Sequence, residues 1–291
     1  MDIRNILINI GRYIPDKLYL KLVYRFKVGK PLNLKNPVSL NEKIQWLKLY
    51  DKNPDYYKLV DKDLVKDFVA RKLGSEYVIP TLGKWSSPAD IDWEKLPERF
   101  VLKTTHGGSG DGVIICSEKS SFNREDAVSK LNKAMKIDLY KKVREWAYKD
   151  IDRKIIAEQY IEDSKHELTD YKFFCFDGYV DCVMLCTDRR TGDPKFYFFD
   201  KDWSLLRYNK RGMDAETGFT LPKPERIDKM FEIASKLSEG IPFARIDLYN
   251  VDGKIYFGEI TFYPNSGMDK NLLPEANNRW GKLLNLNNIK K

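Results

Sequence analysis

The period of the hydrophobic positions changes several times along the chain, and each change marks an element. Leu40, Ile44 and Leu47 recur at helical spacing directly after Ser39-Leu40-Asn41-Glu42, a capping box in which hydroxyl and carboxylate each satisfy a backbone donor. A second helix is predicted from about Asp61, with Leu64, Val65, Phe68, Val69 and Leu73 on one stripe and Gly74 as its stop, before Tyr77-Val78-Ile79-Pro80 turns extended. Strands are then predicted over Phe100 to Lys103 and Val113 to Cys116, followed by a helix from about Asn123 to Lys149. Further strands read at Ile155 to Ile161, Tyr171 to Phe176, Val180 to Cys186 and Lys195 to Phe199. A helix opened by Pro224 directs Ile227, Met230, Phe231, Ala234 and Leu237 inward. Asp252-Gly253 joins the last two strands, Ala244 to Tyr249 and Lys254 to Thr261, as a hairpin. Hairpins with helices between them predict an α+β architecture.

The first 35 residues are basic and weakly amphipathic. Lys17, Lys21, Arg25, Lys27, Lys30 and Lys35 fall in a stretch without an acid, and the pattern predicts a helix that packs Leu18, Leu20, Leu22 and Val23 inward and solvates its charges. Peripheral contact with an anionic membrane surface is the alternative use of the same charge.

Composition narrows the chemistry. The chain has 291 residues, 42% of them apolar and 13% aromatic, enough for one large or two ordinary domains and too hydrophobic for disorder. It has no apolar run of the ~18 residues a spanning helix requires. A net charge of +8 fits nucleotides, acidic sugars or an anionic surface as partners; no nucleic acid is expected. Four irregularly spaced cysteines and the absence of a signal-peptide pattern predict a reduced, cytoplasmic protein. Cys182 and Cys186 share a strand face without further ligands nearby, so they are assigned to the core. With only His106 and His166, a multi-histidine metal site is excluded.

Two segments carry chemistry. Lys103-Thr104-Thr105-His106-Gly107-Gly108-Ser109-Gly110-Asp111-Gly112 places four glycines in six residues, which lets backbone N–H groups approach an anion closely. It leads into Val113-Ile114-Ile115, a strand, whereas a P-loop or dinucleotide fingerprint would open a helix. The loop therefore reads as a hairpin tip able to close over phosphates, with Lys103 supplying an ammonium. In the second segment, Arg245 and Asp247 share one strand face, and Glu259 and Thr261 share one face of the partner strand. The hairpin brings Asp247 opposite, or within one position of, Glu259 at roughly 5 Å. Two such carboxylates repel. Either Arg245 pairs with them, or a divalent cation such as Mg²⁺ resolves the repulsion with oxygen ligands.

The order of these parts resembles the ATP-grasp superfamily: Asp61-Lys62, Phe100-Val101-Leu102-Lys103 before the glycine hairpin, Ala157-Glu158-Gln159-Tyr160-Ile161, and Arg245-Ile246-Asp247 with Glu259-Ile260-Thr261. More narrowly, from about Ile14 to Leu286, it is similar to the TupA-like ATP-grasp group of teichuronopeptide, capsule and other surface-polysaccharide clusters. The residues that carry this are Pro37 to Trp46, Val78-Ile79-Pro80, Leu96-Pro97 and Asp170-Tyr171-Lys172-Phe173. The resemblance implies two α+β lobes with ATP between them. It implies Lys62 and Lys103 on the phosphates, the loop of Gly107, Gly108, Ser109, Gly110 and Gly112 as lid, and Glu158, Gln159, Tyr160 and Ile161 as adenine hinge. Asp247 and Glu259 would hold Mg²⁺, and Thr261 stands where the family has a second-metal Asn. Arg245 would act with Lys103 on the transferring group, and Lys172 would belong to the nucleotide site. Pro264-Asn265-Ser266-Gly267 replaces a shorter Pro-Gly turn. The implied segments are a helical region 1–60, a linking segment 61–98, a small lobe 99–161 and a large lobe 162–291.

The activity this implies is an ATP- and Mg²⁺-dependent carboxylate–amine ligase working through an acyl phosphate, with an uronic or amino acid acceptor on a surface glycan that is lipid-linked at the inner membrane face. A glycan kinase on the same site, a polysaccharide glycosyltransferase and an ATP-sensing binding protein are the competing readings.

Overall fold

The computed structural model describes residues 13–108, 110, 112–164, 168–188, 193–287 and 289. Among the described residues, ten strands form two antiparallel sheets. The smaller has the order β1-β4-β2-β3, built from Thr81–Trp85 (β1), Phe100–Thr104 (β2), Val113–Cys116 (β3) and Ile155–Gln159 (β4). The larger has the order β10-β9-β5-β6-β7-β8, from Asp170–Phe176 (β5), Tyr179–Thr187 (β6), Lys195–Phe199 (β7), Leu205–Leu206 (β8), Ala244–Val251 (β9) and Lys254–Thr261 (β10). The α+β expectation holds.

Alternation decides which side chains enter the cleft between the sheets. On β2, Phe100 and Leu102 are fully buried beside Leu131 of helix Arg124–Met135, which leaves Val101 and Lys103 on the opposite face. On β9, Ala244, Ile246 and Leu248 are fully buried in the core that includes helix Ile227–Ser238, so Arg245, Asp247 and Tyr249 share the other face. Trp280 anchors the far end of this core: it stacks on Phe174 at 4.4 Å and donates from Nε1 to buried Asp181 at 2.8 Å.

The capping box forms as expected, with Glu42 N donating to Ser39 Oγ (3.3 Å) and Ser39 N to Glu42 Oε2 (3.1 Å). The backbone leading into helix Leu40–Tyr50 packs so closely on helix Pro274–Leu283 that a Cβ on Gly281 would stand 1.9 Å from the Val38 carbonyl oxygen. Leu20, Leu40, Ile44, Val65 and Val69 join the core of the large sheet, so the helical segments before residue 74 pack with the large lobe. β1, from within 61–98, pairs with β4 and completes the small sheet.

Three expectations are corrected. Helix Asp16–Val28 buries Tyr19, Leu20 and Tyr24, whereas Leu18 and Leu22 are about half exposed. The tyrosine wins over the leucine because its hydroxyl has a partner: Tyr19 OH donates to the Lys142 carbonyl at 2.8 Å. The long helix from Asn123 to Lys149 breaks after Met135, because Asp138 caps a new helix, Leu139–Val143, by accepting from Lys141 N at 2.9 Å. Tyr77 ends a 3₁₀ turn, Ser75–Tyr77, so the extended stretch starts one residue later, at Val78 (φ −98°, ψ 130°), and leads into β1.

Candidate active site

The β9–β10 hairpin turns at Asp252 (φ 49°) and Gly253 (φ 83°), as the Asp-Gly pair requires. The register sets Asp247 opposite Glu259 and Arg245 opposite Thr261, after a bulge at Gly258. β5 extends this row, because Lys172 pairs in register with Asp247. Three strands thus bring Glu259, Asp247 and Lys172 side by side.

Arg245 is the centre of the cluster. Its Nε and Nη2 meet Asp247 Oδ1 and Oδ2 at 2.7 Å each, and Nη2 also reaches Glu259 Oε1 at 3.1 Å and Thr261 Oγ1 at 3.2 Å. Lys172 Nζ donates to both Asp170 and Asp247. Burial pushes the Asp247 carboxyl up to about 6, against the pull of Arg245 and Lys172. Glu259 behaves oppositely: burial disfavours its charge, yet Lys62, Arg245, Lys172 and Lys103 together hold it down at about 2. Lys62 stands 4.0 Å from Glu259 Oε2, and burial lowers its own pKa.

Local structure places Lys62 and Lys103. Asp61 Oδ1 accepts from Asp63 N (2.8 Å) and Leu64 N (3.0 Å) at the start of helix Leu64–Leu73, and Lys62 N donates to the Thr105 carbonyl at 3.0 Å. Lys62 Nζ also donates to the Gly107 carbonyl, which ties this helix start to the glycine loop. Lys103, on β2, pairs with Glu158 of β4 at 2.5 Å, and Lys66 meets the other oxygen of Glu158 at 2.7 Å. The Glu158 carboxyl is held below its ordinary range: burial opposes this, but Lys103 and Lys66 outweigh it. Lys66 was not singled out from the sequence; its position four residues after Lys62 was the available signal.

In the glycine loop, Gly110 (φ 79°) and Gly112 (φ 77°) require glycine by conformation. A Cβ on Gly112 would also stand 2.5 Å from Thr104 Oγ1 and 2.9 Å from Ala134 Cβ. Gly107 and Gly108 have ordinary φ, and Ser109, like His166, lies outside the described residues. His106 is buried, with Nε2 3.3 Å from the Ala134 carbonyl; burial and Arg153 keep its pKa low. This makes it a packing residue of the loop base.

A cavity of about 1000 Å³ separates the sheets. Gln159, Tyr160 and Ile161 line one wall, Lys103 and Glu158 reach its floor, and Val101, Ile115, Leu185 and Tyr249 give it apolar surface. Arg99 braces the segment after β4 by covering the Tyr160 ring at 3.9 Å and pairing with Glu162 at 2.6 Å. Ser164 fastens it to the β9–β10 turn through two 2.9 Å bonds to Asp252. Cys186 lines this cavity, while Cys182 is core as expected.

The expected metal ligands meet, but in a different charge state from that anticipated. Among the described residues no group of three or more His, Cys, Asp or Glu is arranged to hold a metal ion. Both Asp247 oxygens are occupied by Arg245 and Lys172, so cations of the protein itself neutralise this carboxylate. Glu259, 37% exposed in its side chain, lies 3.3 Å from the Thr261 hydroxyl, and oxygen donors such as these suit Mg²⁺. Asn265, in the turn after β10, donates from Nδ2 to Asp269 Oδ2 at 2.7 Å.

Two antiparallel α+β lobes that enclose a cleft, with a lysine-bearing strand and glycine loop above and a charged hairpin below, define an ATP-grasp protein. A family model described as TupA-like ATPgrasp matches residues 42–284, and the chain belongs to that family. Solved structures similar to it include the D-alanine–D-alanine ligase from Bacillus anthracis, with 18% identity over 78% of this chain and 65% of that one, at a TM-score of 0.43. The D-cycloserine synthetase DcsG is 17% identical over 79% of this chain and 71% of its own, at a TM-score of 0.44. The chain spans 55 to 65% of the length of the first three such structures. A search among curated proteins found no significant match.

Proposed function

We propose that the chain is an ATP- and Mg²⁺-dependent carboxylate–amine ligase. The observation that carries this reading is the array of Lys62, Lys66, Lys103, Lys172 and Arg245 around Asp170, Asp247, Glu158 and Glu259, set beside a cavity large enough for a nucleoside. Four ammonium groups and a guanidinium converge there, which suits a polyphosphate.

In this reading Gln159, Tyr160 and Ile161 hold the base, Lys103 and Lys62 hold the phosphates, and the glycine loop covers them. Glu158 acts as the anion that positions Lys103 and Lys66 as well as a wall of the base pocket. Arg245 presents Nη2 at the cleft beside Glu259, where it stabilises charge on the transferring phosphoryl group. Glu259 and Thr261 would hold Mg²⁺, which when bound neutralises and orients the phosphates. The substrate carboxylate oxygen bonds to the γ-phosphorus as the β–γ bridging bond breaks and ADP leaves. The amine nitrogen then bonds to the acyl carbon as phosphate leaves, and the amine proton passes to solvent. The acceptor is read as an uronic or amino acid group in surface-polysaccharide biosynthesis. The chain's net charge of +8, which suits an acidic glycan, supports this.

The test is release of ADP and phosphate from Mg-ATP against uronic acids paired with amino acids, in wild type and Glu259→Gln. Turnover that needs both a carboxylate and an amine, yields an amide and is lost in the variant is expected. A phosphoester product would make the chain a kinase, and stabilisation by UDP-sugars but not by ATP would make it a glycosyltransferase.

A further inference from the structure

Helix Asp16–Val28 has one face locked and one face open. Asp16 pairs with Arg144 Nε at 2.7 Å and accepts from Tyr140 OH at 2.8 Å, Tyr19 OH donates to the Lys142 carbonyl at 2.8 Å, and the Arg144 guanidinium covers the Tyr19 ring at 4.3 Å. With Tyr19, Leu20 and Tyr24 buried on that side, the helix cannot rotate to cover its remaining apolar residues. Leu18, Leu22 and Phe26 are therefore 50%, 48% and 73% exposed. Spaced at i, i+4 and i+8, they form a single line along the helix. Lys17, Lys21 and Arg25 form a second exposed line directly beside it, and none of the three has an ion-pair partner among the described residues. Lys30 continues the charge past Gly29, and no acid occurs from Lys17 to Lys35.

We propose that this face docks on an anionic lipid bilayer, the leucines and Phe26 entering the interface and Lys17, Lys21 and Arg25 meeting lipid phosphates. Scattered exposed leucines are ordinary, but an aligned apolar row beside a cationic row is the pattern of an interfacial helix. Charge complementarity selects the bilayer over a second copy of the chain. A two-fold contact through this face would bring two cationic rows together with no acid from residues 17–35 to neutralise them. The same anchor reaches the candidate site: Lys48 Nζ donates to the Val143 carbonyl (3.1 Å), next to Arg144, and to Ser266 Oγ (2.6 Å), in the turn that follows β10. A docked helix would thus hold one end of the cleft near the membrane plane.

The experiment is co-sedimentation of the full chain with phosphatidylcholine vesicles and with vesicles containing phosphatidylglycerol. Binding to the anionic vesicles, screened by salt, is expected. It should fall at least about tenfold both in Leu22→Glu/Phe26→Glu and in Lys17→Ser/Lys21→Ser/Arg25→Ser. All five side chains are exposed, and unchanged melting temperatures would verify the folds. No binding by the wild type, equal binding to both vesicle types, or unchanged binding in either variant would overturn the proposal. So would a wild-type dimer that Leu22→Glu/Phe26→Glu dissolves.

Discussion

Glu158 is the residue whose removal should be felt most clearly in the small lobe. Its side chain is 6% exposed and bridges Lys66 at 2.7 Å and Lys103 at 2.5 Å, themselves only 13% and 14% exposed. Glu158→Ala strands two largely buried ammonium groups without their counter-ion. Breaking a buried pair by deleting one partner costs about 3–5 kcal/mol. At about 2 °C per kcal/mol for a chain of this size, the melting temperature should drop by about 6–10 °C. Thermal unfolding by circular dichroism measures this directly. A double-mutant cycle with Lys66→Met separates the ion pair from lost packing, and a coupling of about 0.5–3 kcal/mol is expected. Because polyphosphate would supply the missing negative charge to Lys103, Mg-ATP should restore part of the loss. A Glu158→Ala protein that melts within about 2 °C of wild type, with no coupling to Lys66, would refute the argument that this carboxylate organises both lysines.

Glu259 titrates at about 2 in the fold against an ordinary value of 4.5, so its contribution to stability is complete above the unfolded value and is lost as pH falls from about 4.5 toward about 2. Wild-type stability should therefore fall more steeply than that of Glu259→Gln across that window, as acid titration of the melting temperature would reveal. In the glycine loop, Gly110→Ala should cost about 1 kcal/mol from its positive φ alone, since nothing stands within 4 Å of a Cβ there. Gly112→Ala should cost clearly more, because the added Cβ also meets Thr104 and Ala134; equal melting temperatures for the two variants would contradict this. Arg245→Lys should lower ATP-dependent turnover by at least about tenfold in a coupled ADP-release assay, because a lysine cannot span Asp247 and Glu259 at once.

Periodicity and turn chemistry were enough to read the capping box at Ser39, the alternation that puts Arg245 and Asp247 on one face, and the Asp252-Gly253 hairpin that brings Asp247 opposite Glu259. These are local rules, and a hairpin carries its own register once the turn is known. Other features depended on which distant segment supplied a partner. Tyr19 took the buried position from Leu18 because Lys142 offered its hydroxyl an acceptor. The charge state of the cluster was settled by β5: Lys172 lands beside Asp247, so the carboxylate the hairpin seemed to leave for a metal is already neutralised. Glu158, a hinge residue by its motif, became the shared counter-ion of Lys66 and Lys103 once a helix and two strands converged. Local pattern is enough for most of the elements and for the two charged segments, though not for β1 or for the break after Met135. The tertiary structure decided their pairing, because buried charges seek the nearest opposite charge in space, and that neighbour is seldom the nearest in sequence.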